Sequence, residues 1–188
     1  MADEFLGDRK KALEESFFAK ENAALLERLK AEEWARATKA KLAELSGVED
    51  DEVLSTIVDL GIDLSTWAAI SLVPLVEVAW ADGKVADKER RAVLTAAEAN
   101  GILPGSPSFD LLESWLTRRP DGRLMEAWGG YIVDLCATLG PAEIASVKEK
   151  VLGRAREVAT AAGGFIGLGS KISPEEEIVL TELAKAFE

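Results

Sequence analysis

The chain has 188 residues and a mass of 20.2 kDa, with 48% hydrophobic and 30% charged residues, enough for one well-buried core plus an appendage. It contains no histidine and a single cysteine, Cys136, which removes Ser-His and Cys-His nucleophile pairs, the commonest metal ligand, disulfide frameworks and cysteine-rich zinc sites. A net charge of −12 argues against nucleic acid and anionic lipid, which are bound through clustered Lys and Arg, and leaves a basic partner or a divalent cation compatible.

The opening residues MADEFLGDRK contain no apolar core of the signal-peptide kind. Residues 1–45 have no Gly after Gly7 and no Pro, are rich in Ala, Leu, Glu and Lys, and read as one long helix or two collinear ones. Phe17, Phe18, Leu25, Leu26 and Leu29 recur at spacings that favour one side, while Asp8–Lys11, Glu27–Lys30 and Glu32–Arg36 lie one turn apart on the wet side. Ten acids and nine bases leave this segment close to neutral. Its apolar side needs a partner, either the rest of this chain, a second copy or another protein. Trp34 lies on the same helix, and with Phe17 and Phe18 it is the candidate partner-binding set if the helix does not fold back. Ser46-Gly47 ends the segment.

Residues 48–60 read as a short helix with Val53, Ile57 and Leu60 on one face. From Ser46 to Asp63 there are six acids and no base, and carboxylates at a helix start account for part of that charge. Residues 1–63 thus form an N-terminal segment, a long helix plus a short acidic one, and residues 64–188 a helical domain. The most apolar run, Trp67 to Ala81, is fifteen residues interrupted by Pro74 and Glu77. A membrane helix needs about 20, so the run reads as a core helix capped by Ser65 or Thr66, and the chain as cytosolic without direct membrane insertion. The following helix runs from about Asp87 to Asn100 and stops at Asn100-Gly101. Residues 108–118 carry Phe109, Leu112 and Trp115. Pro120-Asp121-Gly122 turns into a helix with Leu124, Trp128, Tyr131, Ile132 and Leu135. Gly140-Pro141 precedes a helix with Ile144, Val147, Val151, Leu152 and Val158. The last helix starts at Ser173-Pro174 and carries Ile178, Leu180, Leu183 and Phe187. No segment alternates as a strand does, so the fold class is all-α.

One turn carries chemistry. In Ala81 to Glu89, the residues Asp82, Gly83, Val85 and Glu89 match the second half of a calcium-binding EF-hand loop. The first half is absent, since Val78 and Trp80 stand where two ligand acids belong and Ala86 replaces another. Two routes stay open: a divalent-cation site completed by water, backbone carbonyls and a distant acid, or a helix-ending turn in which Asp87 caps the next helix. Oxygen-only ligands favour calcium, manganese or magnesium. Near the C-terminus the pattern repeats, aligning Gly83 with Ser170, Lys84 with Lys171, Val85 with Ile172 and Glu89 with Glu176. The copy lacks the Asp, and Ser173-Pro174-Glu175-Glu176 reads as a capping box.

The run Leu75-Val76-Glu77-Val78-Ala79-Trp80-Ala81-Asp82-Gly83-Lys84-Val85, followed by Glu89, resembles the signature of TerB-like, tellurite-resistance-associated domains. The resemblance covers about residues 64–188. It implies a compact bundle of two related helix-turn-helix halves, no catalysis, a link to stress or metal response, and metal binding by acidic residues. On that basis the metal set is Asp82 and Glu89, aided by Glu77 or Asp87.

The remaining signals point to structure. Glu77 lies inside an apolar helix and needs a basic partner, for which Arg90 or Arg91 is placed, or a metal, or a raised pKa. The glycine-rich stretch 163–171 fails as a phosphate loop, because a helix precedes it and its Lys is displaced by one residue. Trp67, Trp80, Trp115 and Trp128 read as core anchors and Cys136 as a small core residue. With no pair of acids converging as a hydrolase requires, the expected activity is binding rather than catalysis.

Overall fold

A computed structural model describes the backbone of residues 2–162 and 172–188, and the side chains of residues 17, 20–161 and 172–188. Among the described residues the chain is all-helical: eight α-helices and one 3-10 helix. It divides into two compact units, Met1–Ala40 and Lys41–Glu188.

The first unit is helix α1, Ala2–Ser46, over most of its length. Its side chains carry local ion pairs, Arg28–Glu32 at 2.8 Å and Lys30–Glu27 at 2.9 Å. Glu32 therefore turns back to Arg28 rather than forward to Arg36. Every described side chain from 20 to 34 is exposed.

The second unit opens with the end of α1, where Leu42 is fully buried. Ser46 donates from its hydroxyl to the Leu42 carbonyl, and Gly47 takes a φ of 71°, a left-handed ending open to glycine. Helix α2, Asp51–Asp59, is capped by Asp50, whose carboxylate accepts from the backbone N–H of Glu52 and Val53. Its buried face is Leu54, Ile57 and Val58, one position round from the Val53–Ile57–Leu60 face expected. Asp134 on α6 (Arg123–Thr138) accepts from the N–H of Glu49 and Asp50 and ties α2 to α6. Where the two helices meet, a side chain on Gly130 would collide with Val53, so glycine permits the close approach. Although counted with the N-terminal segment in the sequence, α2 packs inside the second unit.

The apolar run after Asp63 is not one helix. It forms a 3-10 helix, Trp67–Leu72, and then α3, Val73–Ala79. Pro74 explains the break: it has no N–H to give and fits only the first turn of a helix, so α3 starts at Val73 with Pro74 in its first turn. Neither Ser65 nor Thr66 caps from its side chain. Asp63 is the organising group instead, accepting from the N–H and hydroxyl of Ser65 and from both groups of Thr66. Hydrogen bonds to Ser65 hold its carboxyl below the usual range.

Helix α3 is the axis of the core, with Val73, Leu75, Val76, Val78 and Ala79 at most 1% exposed. Around it pack α4 (Asp87–Ala99), α5 (Pro107–Thr117), α6, α7 (Pro141–Ala162) and α8 (Pro174–Lys185). Trp115 and Trp128 are buried anchors, Trp67 and Trp80 half-buried ones. The Trp80 indole donates to the Trp115 carbonyl at 2.8 Å, Trp67 meets Tyr131 edge-on, and Trp128 meets Phe187 edge-on. Ile178 departs from the expected apolar face of α8, standing 64% exposed beside buried Leu180 and Leu183. No described helix is long and apolar enough to cross a membrane.

Candidate functional site

The Asp82–Glu89 turn follows directly from α3. Gly83 has a φ of 88°, its N–H donates to the Trp80 carbonyl, and Asp82 accepts from the N–H of Lys84 at 3.1 Å. Helix α4 then starts at Asp87, with Ala86 at the capping position. Asp87 is an exposed first-turn residue and does not cap, because the chain is already helical there. Ala86 offers no side-chain acceptor. The work falls to Glu89, whose carboxylate reaches back to accept from the Ala86 N–H at 2.7 Å while only 5% exposed.

The α8 start is built the same way with one more part. Glu176 accepts from the Ser173 N–H at 2.6 Å, and Ser173 accepts from the Glu176 N–H at 3.2 Å. Glu176 is 6% exposed. The matching positions Gly169, Ser170 and Lys171 lie outside the described residues, as does the glycine-rich stretch 163–171.

Glu89 feels the charge of Glu176. Burial pushes the Glu89 carboxyl up, the Ala86 N–H offsets part of this, and the nearby charges of Asp82 and Glu176 push it up further. Lys84 pulls the other way. Glu77 is apart from them. It is half-buried on α3, its carboxyl raised by burial and partly relieved by Arg119. Arg119, from the segment after α5, thus replaces the Arg90 or Arg91 expected. Arg90 is engaged elsewhere, with Glu113 at 3.1 Å and the Thr117 hydroxyl at 3.1 Å. Of the four acids in the sequence-derived metal set, Asp82 is near enough to raise Glu89, while the charge acting on Glu77 is that of Arg119 and Asp87 is exposed. Among the described residues, no three acidic or cysteine side chains gather as a group that could hold a metal ion.

No family model, curated protein or solved structure matches this chain.

On α1, Phe17 is 60% exposed, Leu25 53%, Leu26 58%, Leu29 52% and Trp34 52%. The side chain of Phe18 lies outside the described residues. Phe17 and Trp34 do not make one patch: seventeen residues of continuous helix separate them by about 25 Å. The compact apolar cluster is Leu25, Leu26 and Leu29, which share one turn.

A second surface was not singled out in the sequence. Helices α4 and α7 leave an open groove of about 370 Å³, floored by Ala92, Ala96 and Val158 and rimmed by Arg91, Arg154 and Glu157. The run Ala92-Val93-Leu94-Thr95-Ala96-Ala97-Glu98-Ala99 held the signal, since small residues recur every fourth position on one helix face. Arg154 is held in place by the Asn100 side-chain carbonyl at 2.7 Å. Arg91 makes no ion pair or hydrogen bond among the described residues.

Proposed function

We propose that this chain is a non-enzymatic binding or adaptor protein of TerB-like type, acting in the cytosol through protein–protein contacts made by α1, in a stress- or metal-related setting. One observation carries the reading: Leu25, Leu26, Leu29 and Trp34 are each more than half exposed on a single long helix. Large apolar side chains gathered on one turn of an exposed helix are the usual mark of a partner site. The absence of histidine supports a binding role over catalysis. The TerB-like part rests on the resemblance of Leu75 to Val85 and Glu89, and the two-halved arrangement remains part of this proposal. The test is affinity capture with the full chain against the variant L25D/L26D/L29D. A partner held by the native chain and lost from the variant, at equal thermal stability, supports the reading. A monomer that retains no protein in either form overturns it.

A second reading is a divalent-cation sensor or buffer at the Asp82–Glu89 turn. It is favoured by the burial of Glu89 near the charges of Asp82 and Glu176, which raise its carboxyl and which a cation would offset. Both carboxylates already accept a backbone N–H, so each would bring its remaining lone pairs. Calcium, then manganese, titrated calorimetrically into chelator-stripped protein gives the test, with Asp82→Asn as control. Saturable heat lost in the variant supports the site; no heat and no change in melting temperature rejects it.

A further inference from the structure

Two surfaces described above have complementary shapes and charges. The groove between α4 and α7 has a floor of small side chains, which leaves room for large ones from outside. Its cations stand at opposite ends. Arg91 lies near the start of α4, and Arg154 is fixed to Asn100, the residue that closes α4. Nine residues of helix separate Arg91 from Asn100, a rise of about 14 Å. Glu157 adds one negative charge to the rim, so a purely acidic guest would be repelled there.

Helix α1 offers the matching pattern. Glu21, Leu25, Leu29 and Glu33 follow at four-residue intervals, with two leucines between two acids about 18 Å apart. Glu21 and Glu33 make no ion pair or hydrogen bond among the described residues. The paired bases Arg28 and Lys30 lie beside the leucines and suit Glu157. Net charge agrees: residues 1–45 carry one of the twelve net negative charges and the rest of the chain eleven. A nearly neutral helix can approach that acidic domain where two whole domains would repel.

We infer that the α4–α7 groove receives α1 of a second copy of this chain, with Leu25 and Leu29 on the alanine floor and Glu21 and Glu33 against Arg91 and Arg154. The inference rests on the reading of α1 as a docking helix and names its partner. The contact is heterologous, joining different surfaces of the two copies, so it closes into a small ring or continues as a chain according to the angle between them. Each copy presents one guest and one host surface.

Sedimentation velocity on the full chain over a range of concentrations is the test. A concentration-dependent rise above the monomer is expected. L25D/L29D should raise the dissociation constant by about a hundredfold and R91E/R154E by about tenfold. The decisive arm is the combination R91E/R154E with E21K/E33K, which exchanges the charges in an orientation-independent way and should restore association. Far-ultraviolet dichroism on every variant checks that the helices persist. A monomer at all concentrations overturns the inference while leaving α1 open to a different protein, which the capture experiment reads separately. Association lost with the leucines but indifferent to R91E/R154E also overturns it, because α1 would then pair with α1. So does failure of the charge exchange to restore association.

Discussion

Helices α4 and α8 begin with the same device and different parts. In each, a glutamate three positions into the helix turns back and accepts the N–H of the capping residue while being buried. Helix α8 has Ser173 to return the bond; α4 has Ala86, which cannot. Helix α7 shows a third version, with exposed Glu143 accepting from the Gly140 N–H at 2.8 Å. The glutamate is therefore the constant element and the capping side chain the dispensable one. That ranking follows from burial. Glu89 and Glu176 are buried and hold their bond away from water, whereas the second bond of the box adds only a typical capping increment.

The ranking can be broken by experiment, beginning with the largest effect. Glu89→Ala and Glu176→Ala should each lower unfolding free energy by about 1–3 kcal/mol, read from urea denaturation, because each removes a buried side chain and leaves the capping N–H without its acceptor. Ser173→Ala should cost about 1 kcal/mol. If it costs as much as Glu176→Ala, the glutamate is not the dominant partner. Ala86→Ser, which completes the α4 box, should add about 0.5–1 kcal/mol.

The smallest effect concerns charge. The raised Glu89 carboxyl contributes stability that is fully present below the ordinary carboxylate value of 4.5 and is lost as pH rises through its higher folded value. Glu77, raised mainly by burial, acts in the same sense. Glu89→Gln keeps an acceptor for Ala86 and removes a charge from among Asp82 and Glu176. It should match the native chain in acid and exceed it by a few tenths of a kcal/mol near neutrality. Denaturation midpoints across that range decide it, and a parallel pair of curves would refute it. Asp63 runs the opposite way. Its lowered carboxyl supports the Ser65–Thr66 turn above the ordinary value of 3.8 and loses that support as pH falls through its depressed value.

Local chemistry was legible where a residue has few options. Ser46-Gly47, Asn100-Gly101 and Ser173-Pro174 end or start helices as their types dictate, with Gly47 at a φ of 71° and Gly101 at 81°. Burial faces were read less well, because a short apolar run does not say which neighbour it will meet. Leu54 and Val58 are buried while Val53 is only half-buried against Gly130 of α6, and Ile178 is left outside. The break at Pro74 could be seen but was outweighed by the apolar run around it. At the site, the Asp82-Gly83 turn was visible, but the partner of Glu77 was not, since Arg119 lies forty-two positions on. The groove was hidden for a related reason. Alanines on α4 mean nothing alone and become a floor only when α7 lies alongside.

The five tryptophans also make the molecule its own spectrometer. Trp115 and Trp128 are shielded, and Trp67 and Trp80 are half-shielded with the Trp80 indole bonded to a carbonyl, whereas Trp34 stands 52% exposed on α1. Collisional quenchers in solution will reach Trp34 first. Its emission will lie to the red of the buried rings and move to the blue when anything covers that stretch of helix. Comparison with Trp34→Phe isolates the signal, so the proposed docking of α1 can be tested by intrinsic fluorescence with no attached dye.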